Sequence, residues 1–595
     1  MKKHLGLLTV VAGLTALTPL APAQTATAKS HKKATHAKAR KKSAGPSLAT
    51  EVHQMHEELQ AQINELRTQL AAKDAQIATL QQSAQAAEAT TSAQAQATAT
   101  QVQTIDATVQ QNTSAVAGVQ SSVSDLKTQT ASVAANVEQV QKTTEKIQKS
   151  VDEPTSIHYK GVTITPGGFI AAESIWRQRA MNADIYTNFN STPYMNSGEA
   201  HTSEWVPTAR GTRPSVLVSG KVPFGTIRGF LEIDFLAAGT TSNNLQTNSY
   251  TPRIRQGWAQ AEFGHFKFTG GQMWSLLTET RKATDAGQEA LPLIFDANLH
   301  VGDSYLRQTG FRLQDAITPK VTLAMSVENS QYQFSASNAP TNFFFGAPGV
   351  VGGLNNSVAN YTNQVAPDVI VKVAFDPGYG HYELGGVGRF FRDRYYPNTT
   401  AAGAQNDTRF GGGFVANARF PVTKLVDLGF HVVAGDGTGR YGVSLLPDVT
   451  VRPNGTLAPI RNAQGLFSLE LHPSKKLDLF GYAGSEYAQR TVHPNAAGVL
   501  VGYAPITGSN AGCNTEAVPT AGTGYAPGSS ACLGATRVIT EGSAGWVYRI
   551  YTGPAGKLQF GAAYSYLTRQ AWAGVGGAPK ATNNMVYSSF RYYIP

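Results

Sequence analysis

Arginine recurs in this chain at a fixed phase against apolar residues. In "GTIRGFLEIDFLA" (225–237), Ile227, Leu231, Ile233 and Phe235 fall on one face of an extended strand. Arg228, Glu232 and Asp234 fall on the other. In "LQFGAAYSYLTR" (558–569), Leu558, Phe560, Ala562, Tyr564 and Tyr566 oppose Gln559, Ser565 and Arg569. The same phase turns Arg255, Arg389, Arg419, Arg549 and Arg591 to the polar face. A guanidinium is a planar fork matched to carboxylate or phosphate oxygens, so rows of them around an enclosed space would favour anions. The alternative for each is a fixed pair with an acid such as Glu232, Asp234 or Glu383. From Ile157 onward the chain carries 34 of its 49 basic residues and 27 of its 39 acidic ones, and 23 of those 34 are Arg. The expectation is a binding-and-diffusion device that prefers anions.

Covalent chemistry has no comparable signal. "EGSAG" (541–545) has glutamate where a nucleophile elbow begins with glycine. "GPAGKL" (553–558) lacks the spacing and hydroxyl of a phosphate loop, and "GGVGRF" (385–390) sits within a strand pattern. "HQMH" (53–56) places two histidines one helical turn apart, short of the three or four ligands a zinc site needs. No catalytic residue, metal or cofactor is expected. Cys513 and Cys532, close together in a Gly/Ala/Ser/Pro stretch, read as a loop disulfide of an exported protein.

The elements that would position the arginines are strands. From Ile157, period-2 segments of roughly 9–12 residues alternate with two kinds of connection, as tilted membrane strands do. Seven are short turns, at 223–226, 263–266, 315–320, 376–380, 421–424, 472–476 and 552–557. Eight are long polar loops, near 178–214, 238–252, 276–305, 330–366, 393–408, 436–462, 490–540 and 569–582. Fifteen connections predict sixteen antiparallel strands with both ends on the turn side. The fold class expected over 157–595 is therefore an all-β transmembrane barrel, whose last strand, "MVYSSFRYYIP" (585–595), closes against the first. A soluble sandwich or propeller is the alternative, but no blade repeat is present.

A barrel this wide cannot discriminate among solutes unless something narrows it. The third long loop, 276–305, holds Leu291, Leu293, Ile294 and Phe295, which are costly on an exposed surface. Folding inward would bury them and set Arg281, Lys282, Asp285, Glu289 and Asp296 across the pore. The alternative is that this loop covers a subunit interface.

The preceding residues have another period. Residues 102–151 carry two seams three and four apart, Val102 to Val151 and Ile105 to Ile147. Their β-branched content favours a three-stranded coiled coil, with Asn112 fixing register. An earlier block, Leu59 to Leu80, extends the helix across 51–153. Residues 1–23 read as a secretory signal ending in "APA", and 24–50 as a basic disordered segment.

The stretches "FTGGQMWSLL" (268–277), "ALPLIFD" (290–296) and "YLRQTGFRL" (305–313) resemble the DcaP-like trimeric outer-membrane porins. The resemblance implies a sixteen-stranded trimer behind a periplasmic coiled coil, taking up small anions, often dicarboxylates, through a basic constriction. It also implies that Arg307 and Arg312 lie in the strand after the inward loop, and Arg281 and Lys282 in the loop itself. The pore-lining set expected from residues and resemblance together is Arg228, Arg255, Arg281, Lys282, Asp285, Glu289, Asp296, Arg307, Arg312, Arg389 and Arg419.

The expected location is the bacterial outer membrane, with the coiled coil in the periplasm. The expected partners are membrane lipid and lipopolysaccharide, small solutes, two further copies of the chain, and peptidoglycan through the basic segment. Nucleic acid is excluded by that compartment. A tether from membrane to cell wall is the second reading.

Overall fold

The computed structural model describes residues 113–152, 156–236, 251–348, 360–520, 528 and 530–595. The expected signal sequence, basic segment and coiled-coil residues 51–112 lie outside the described residues, as do 237–250, within the second loop.

Helix α1 spans Thr113–Asp152. Its seam residues Val123, Leu126, Val133, Val137 and Val140 are each more than half exposed. The seam's Thr130 hydroxyl donates to the Leu126 carbonyl one turn back (2.6 Å), so that polar group is satisfied within the helix.

The rest is a closed antiparallel barrel. Its strands are β1 (Val162–Arg177), β2 (Arg213–Val222), β3 (Gly225–Asp234), β4 (Arg253–Phe263), β5 (Phe266–Trp274), β6 (Arg307–Thr318), β7 (Val321–Glu328) and β8 (Asp368–Phe375). They continue as β9 (His381–Tyr395), β10 (Gln405–Thr423), β11 (Val426–Asp436), β12 (Arg461–Ser474), β13 (Leu477–Ala488), β14 (Thr536–Gly553), β15 (Gly556–Ala571) and β16 (Lys580–Tyr593). Each strand pairs with its chain neighbours, and β16 returns to β1 with Tyr592 opposite Ile170 and Val586 opposite Trp176. Closure leaves no free sheet edge, which is what lets a sheet sit in hydrocarbon. Three short strands, Ile157–Tyr159, Glu204–Thr208 and Phe343–Phe344, extend the sheet at its rims.

Alternation sets the two faces. Along β16, Val586 and Phe590 are exposed outward, whereas Met585, Tyr587 and Ser589 are buried inward. Ile227 and Leu231 of β3 and Phe560 and Tyr564 of β15 likewise face out. Charge on such a face would cost about 2–4 kcal/mol at mid-membrane.

Two boundaries differ from the sequence reading. Glu204–Thr208, expected in the loop 178–214, pairs with the upper half of β1. Strands β9 and β10 continue to Tyr395 and back from Gln405, so the loop expected at 393–408 is only 396–404. Apolar alternation stops where lipid would stop, but backbone pairing continues in polar sequence beyond it. Hydropathy therefore marks the membrane band and not the strand end. Cys513 and Cys532 are joined by a disulfide within the long loop between β13 and β14.

Candidate functional site

The connection between β5 and β6, residues 275–306, enters the barrel and crosses to the opposite wall. Its apolar tip buries Ile294, Phe295 and Val301 against Phe480, Ile539, Leu567 and Tyr587 of strands β13 to β16. The ring of Phe295 meets that of Phe480 edge-on at 6.3 Å. The far wall makes room with glycine. A Cβ on Gly484 would stand 1.8 Å from the Val301 carbonyl oxygen, and one on Gly561 2.4 Å from the Phe295 ring.

The wall also grips the loop's backbone. Carboxylates of Glu328, Asp376, Glu541 and Glu486 accept from the amides of Leu276 (2.8 Å), Ala283 (3.0 Å), Val301 (3.0 Å) and Gly302 (3.0 Å). Lys372 donates to the Thr278 carbonyl at 2.9 Å, and Arg312 to those of Trp274 (2.6 Å) and Thr284 (3.0 Å). Charged partners roughly double a hydrogen bond's strength, so a loop without regular structure is held like a structural element.

Beside this loop lie two neighbouring cavities, which together make the candidate passage. The one toward the turns is about 320 Å³ and is lined by Arg213, Arg255, Arg549, Lys557 and Arg591, with Glu173, Asp296 and Asp478. The one toward the loops is about 730 Å³ and is lined by Arg210, Arg253 and Arg307, with Asp184 and Glu204. Leu236 and Ala297 belong to both linings, so the two cavities are neighbours. Cations outnumber acids in each.

Most of these cations are paired. Arg255 binds Glu232 at 2.9 Å, Arg253 binds Asp234 at 2.6 Å, and Arg591 donates to Glu173 at 2.7 Å. Arg210 binds Asp184 at 2.8 Å. Arg213 and Arg307 have no acid partner among the described residues. Arg213 stands over the Phe169 ring at 5.2 Å, and Arg307 over Trp274 and Tyr305 at 5.1 Å each. Arg213 Nε and Arg307 Nη1 are buried without a hydrogen bond. Burial raises the Tyr305 phenol, but Arg307, Arg255 and Arg253 around it prevail and bring it down to about 8.

The sequence-derived candidates divide accordingly. Arg255, Arg307 and Asp296 line the passage, although Asp296 is itself buried and accepts from the Thr187 amide and Tyr587 hydroxyl at 3.0 Å each. Lys282 and Asp285 line a separate cavity of about 420 Å³ near the turns, where Asp285 takes Lys267 at 2.8 Å. Arg281 is exposed, and Glu289 turns back onto the Gly287 amide (3.1 Å). Arg228 pairs with Glu262 at 3.2 Å near the turn-side rim.

Three candidates need correction. Arg312, expected at the opening, is buried against the carbonyls of Trp274, at the end of β5, and Thr284, in the loop. Arg389 lies between Asp368 (3.1 Å) and Asp448 (2.7 Å), and Arg419 between Glu279 (2.9 Å) and Glu470 (3.4 Å). Parity turns Arg389 and Arg419 inward, as the structure has them, but folded loops bring Asp448 and Glu279 to meet them and make them fixed pairs. Sequence reasoning passed over Arg210, Arg213, Arg253 and Lys557. Arg213 has a signal, since it shares phase with the inward Ser215 and Ser219 against Val216 and Val218, but it falls within the loop expected at 178–214.

A closed sixteen-stranded antiparallel barrel, apolar outside and narrowed by an inward loop beside a basic passage, has the architecture of outer-membrane channels. No protein-family model matches the chain, and no curated protein is similar to it in sequence. The structure is similar to that of the outer membrane channel DcaP of Acinetobacter baumannii, with a TM-score of 0.50 and 15% identity over 74% of this chain and 100% of that one. It also matches an anion-selective porin from Comamonas acidovorans, with a TM-score of 0.40 and 9% identity over 73% of this chain and 100% of that one. The likeness to DcaP is one of fold, and it agrees with the resemblance drawn from residues 268–313.

Proposed function

We propose that the protein is an outer-membrane channel for passive diffusion of small hydrophilic solutes, with anions favoured. The observation that carries this reading is the passage beside the inward loop, where cations outnumber acids and Arg213 and Arg307 stand without an acid partner. An unpaired guanidinium in a narrow, partly desolvated space raises the local concentration of anions and repels cations. Reversal potentials in planar bilayers under a KCl gradient test it. Chloride selectivity is expected, and a cation-selective result would sink the reading.

The working form we propose is a trimer in which α1 pairs with its copies as a three-stranded coiled coil in the periplasm. The half-exposed, mostly β-branched seam of that helix supports this.

A further inference from the structure

We propose that the outer wall, at the loop-side end of β10 to β15, binds the phosphorylated headgroup of an outer-leaflet lipid. The proposal rests on the outer-membrane reading above but on none of the passage residues.

The observation is a groove of about 740 Å³ whose lining includes Phe410, Arg452, Arg461, Tyr487, Arg490 and Trp572. It faces outward. Phe410 is 69% exposed and shares strand phase with the exposed Phe414. Arg461 shares phase with Phe467, and Tyr487 with Leu479, both exposed on the lipid side.

The cations here are set in position. The Arg490 and Arg537 guanidiniums stand over the Trp572 ring at 4.9 and 5.0 Å. Tyr487 meets that ring edge-on at 6.0 Å, and the Trp572 indole donates to the Ala488 carbonyl at 2.9 Å. Arg537 points out because it is the extra residue of a bulge between Thr536 and Val538.

Their charge is mostly uncompensated. The groove's one acid, Asp436, is taken by Arg461 at 3.1 Å. Arg452, Arg490 and Arg537 have no acid partner among the described residues, and Arg490 Nε is buried without a hydrogen bond. On the membrane side the wall is mostly apolar, with Phe414, Val432 and Leu479 exposed and the Ser485 and Thr540 hydroxyls bonded to each other at 3.1 Å.

Guanidiniums braced on interfacial aromatics, directly above an acyl-facing wall, match one ligand chemistry: phosphate groups joined to hydrocarbon chains. A free anion would use the cations but not the wall, and an uncharged lipid would use the wall but not the cations.

The test titrates full-length detergent-solubilised protein with bisphosphorylated lipid A and follows bound lipid by native mass spectrometry. R490Q/R537Q is expected to weaken binding about tenfold or more, since two charge-assisted contacts are lost. The charge-matched K475Q/K476Q, at an exposed turn on the opposite rim, is expected to bind as the parent does. Dephosphorylated lipid A is expected to bind as weakly as the arginine variant binds the intact lipid. Heat-modifiable gel migration confirms that each variant is a folded barrel. Equal binding by parent and R490Q/R537Q would overturn the proposal. So would equal binding of the dephosphorylated lipid, or displacement by equimolar inorganic phosphate. Single-channel conductance, read in parallel, keeps the two readings apart: a parent protein that conducts as an anion-selective channel but binds no lipid A counts against this site alone.

Discussion

At the residue scale the distinction that matters is between paired and unpaired arginine. Arg255, Arg253 and Arg591 each hold an acid and present little net charge, whereas Arg213 and Arg307 present nearly all of theirs. At separations of about 15 Å and an effective dielectric near 20, one such charge is worth roughly 1 kcal/mol to a passing ion. That is a factor of about five, lost by the anion and gained by the cation, so Arg213→Gln or Arg307→Gln should lower the anion-to-cation permeability ratio on the order of 25-fold each, read from reversal potentials. An unchanged ratio in both would remove these residues from the selectivity argument. Tyr305 adds a pH dependence. Its phenol, brought down to about 8 by the arginines around it, is neutral below that pH and an anion above it. Each ionised Tyr305 cancels one of the neighbouring cations. Anion preference is expected to fall as pH rises through about 8 in the parent and to stay level in Tyr305→Phe. Parallel curves for the two proteins would count against this.

At the element scale the inward loop determines how wide the passage is, and the far wall determines where the loop lies. Gly484 permits the closest approach, because any side chain there meets the Val301 carbonyl. That neighbour is backbone and cannot rotate away. Gly484→Ala should push the loop off β13, loosen the amide bonds to Glu541 and Glu486, and raise single-channel conductance while the barrel still folds. Conductance equal to the parent's would mean that the loop docks elsewhere. The inward loop was legible in sequence from its stranded apolar run, Leu291 to Phe295, and the strands were legible from alternation. The grip on the loop was not. Glu328, Asp376, Glu486 and Glu541 lie far from it in sequence, and nothing local distinguishes a carboxylate that accepts a backbone amide from one that faces water. The same blindness made Arg389 and Arg419 look like pore cations. Parity tells which face a side chain takes, but not what other loops bring to meet it.

At the scale of the whole molecule, the barrel and the helix answer to different solvents. The barrel satisfies every strand by closing on itself, so it can stand as a single chain. Helix α1 cannot be complete in the same way, since its seam residues Val123, Leu126, Val133, Val137 and Val140 are more than half exposed. Each apolar side chain of that size gains about 1.5–3 kcal/mol by full burial, a strong drive to find copies of itself. A single thiol tests this cleanly, because the chain's own Cys513 and Cys532 are already joined. Leu126→Cys places the new thiol on the seam, where the helices of a coiled coil bring equivalent positions within disulfide reach. Mild oxidation of the full-length protein should yield a covalent dimer on a non-reducing gel, and reduction should abolish it. The same substitution one residue on, at Lys127→Cys, lies off the seam and should give far less. A Leu126→Cys protein that stays monomeric, or a Lys127→Cys protein that links equally well, would show that the seam does not meet its copies. The proposed trimer would then rest on the barrel wall alone.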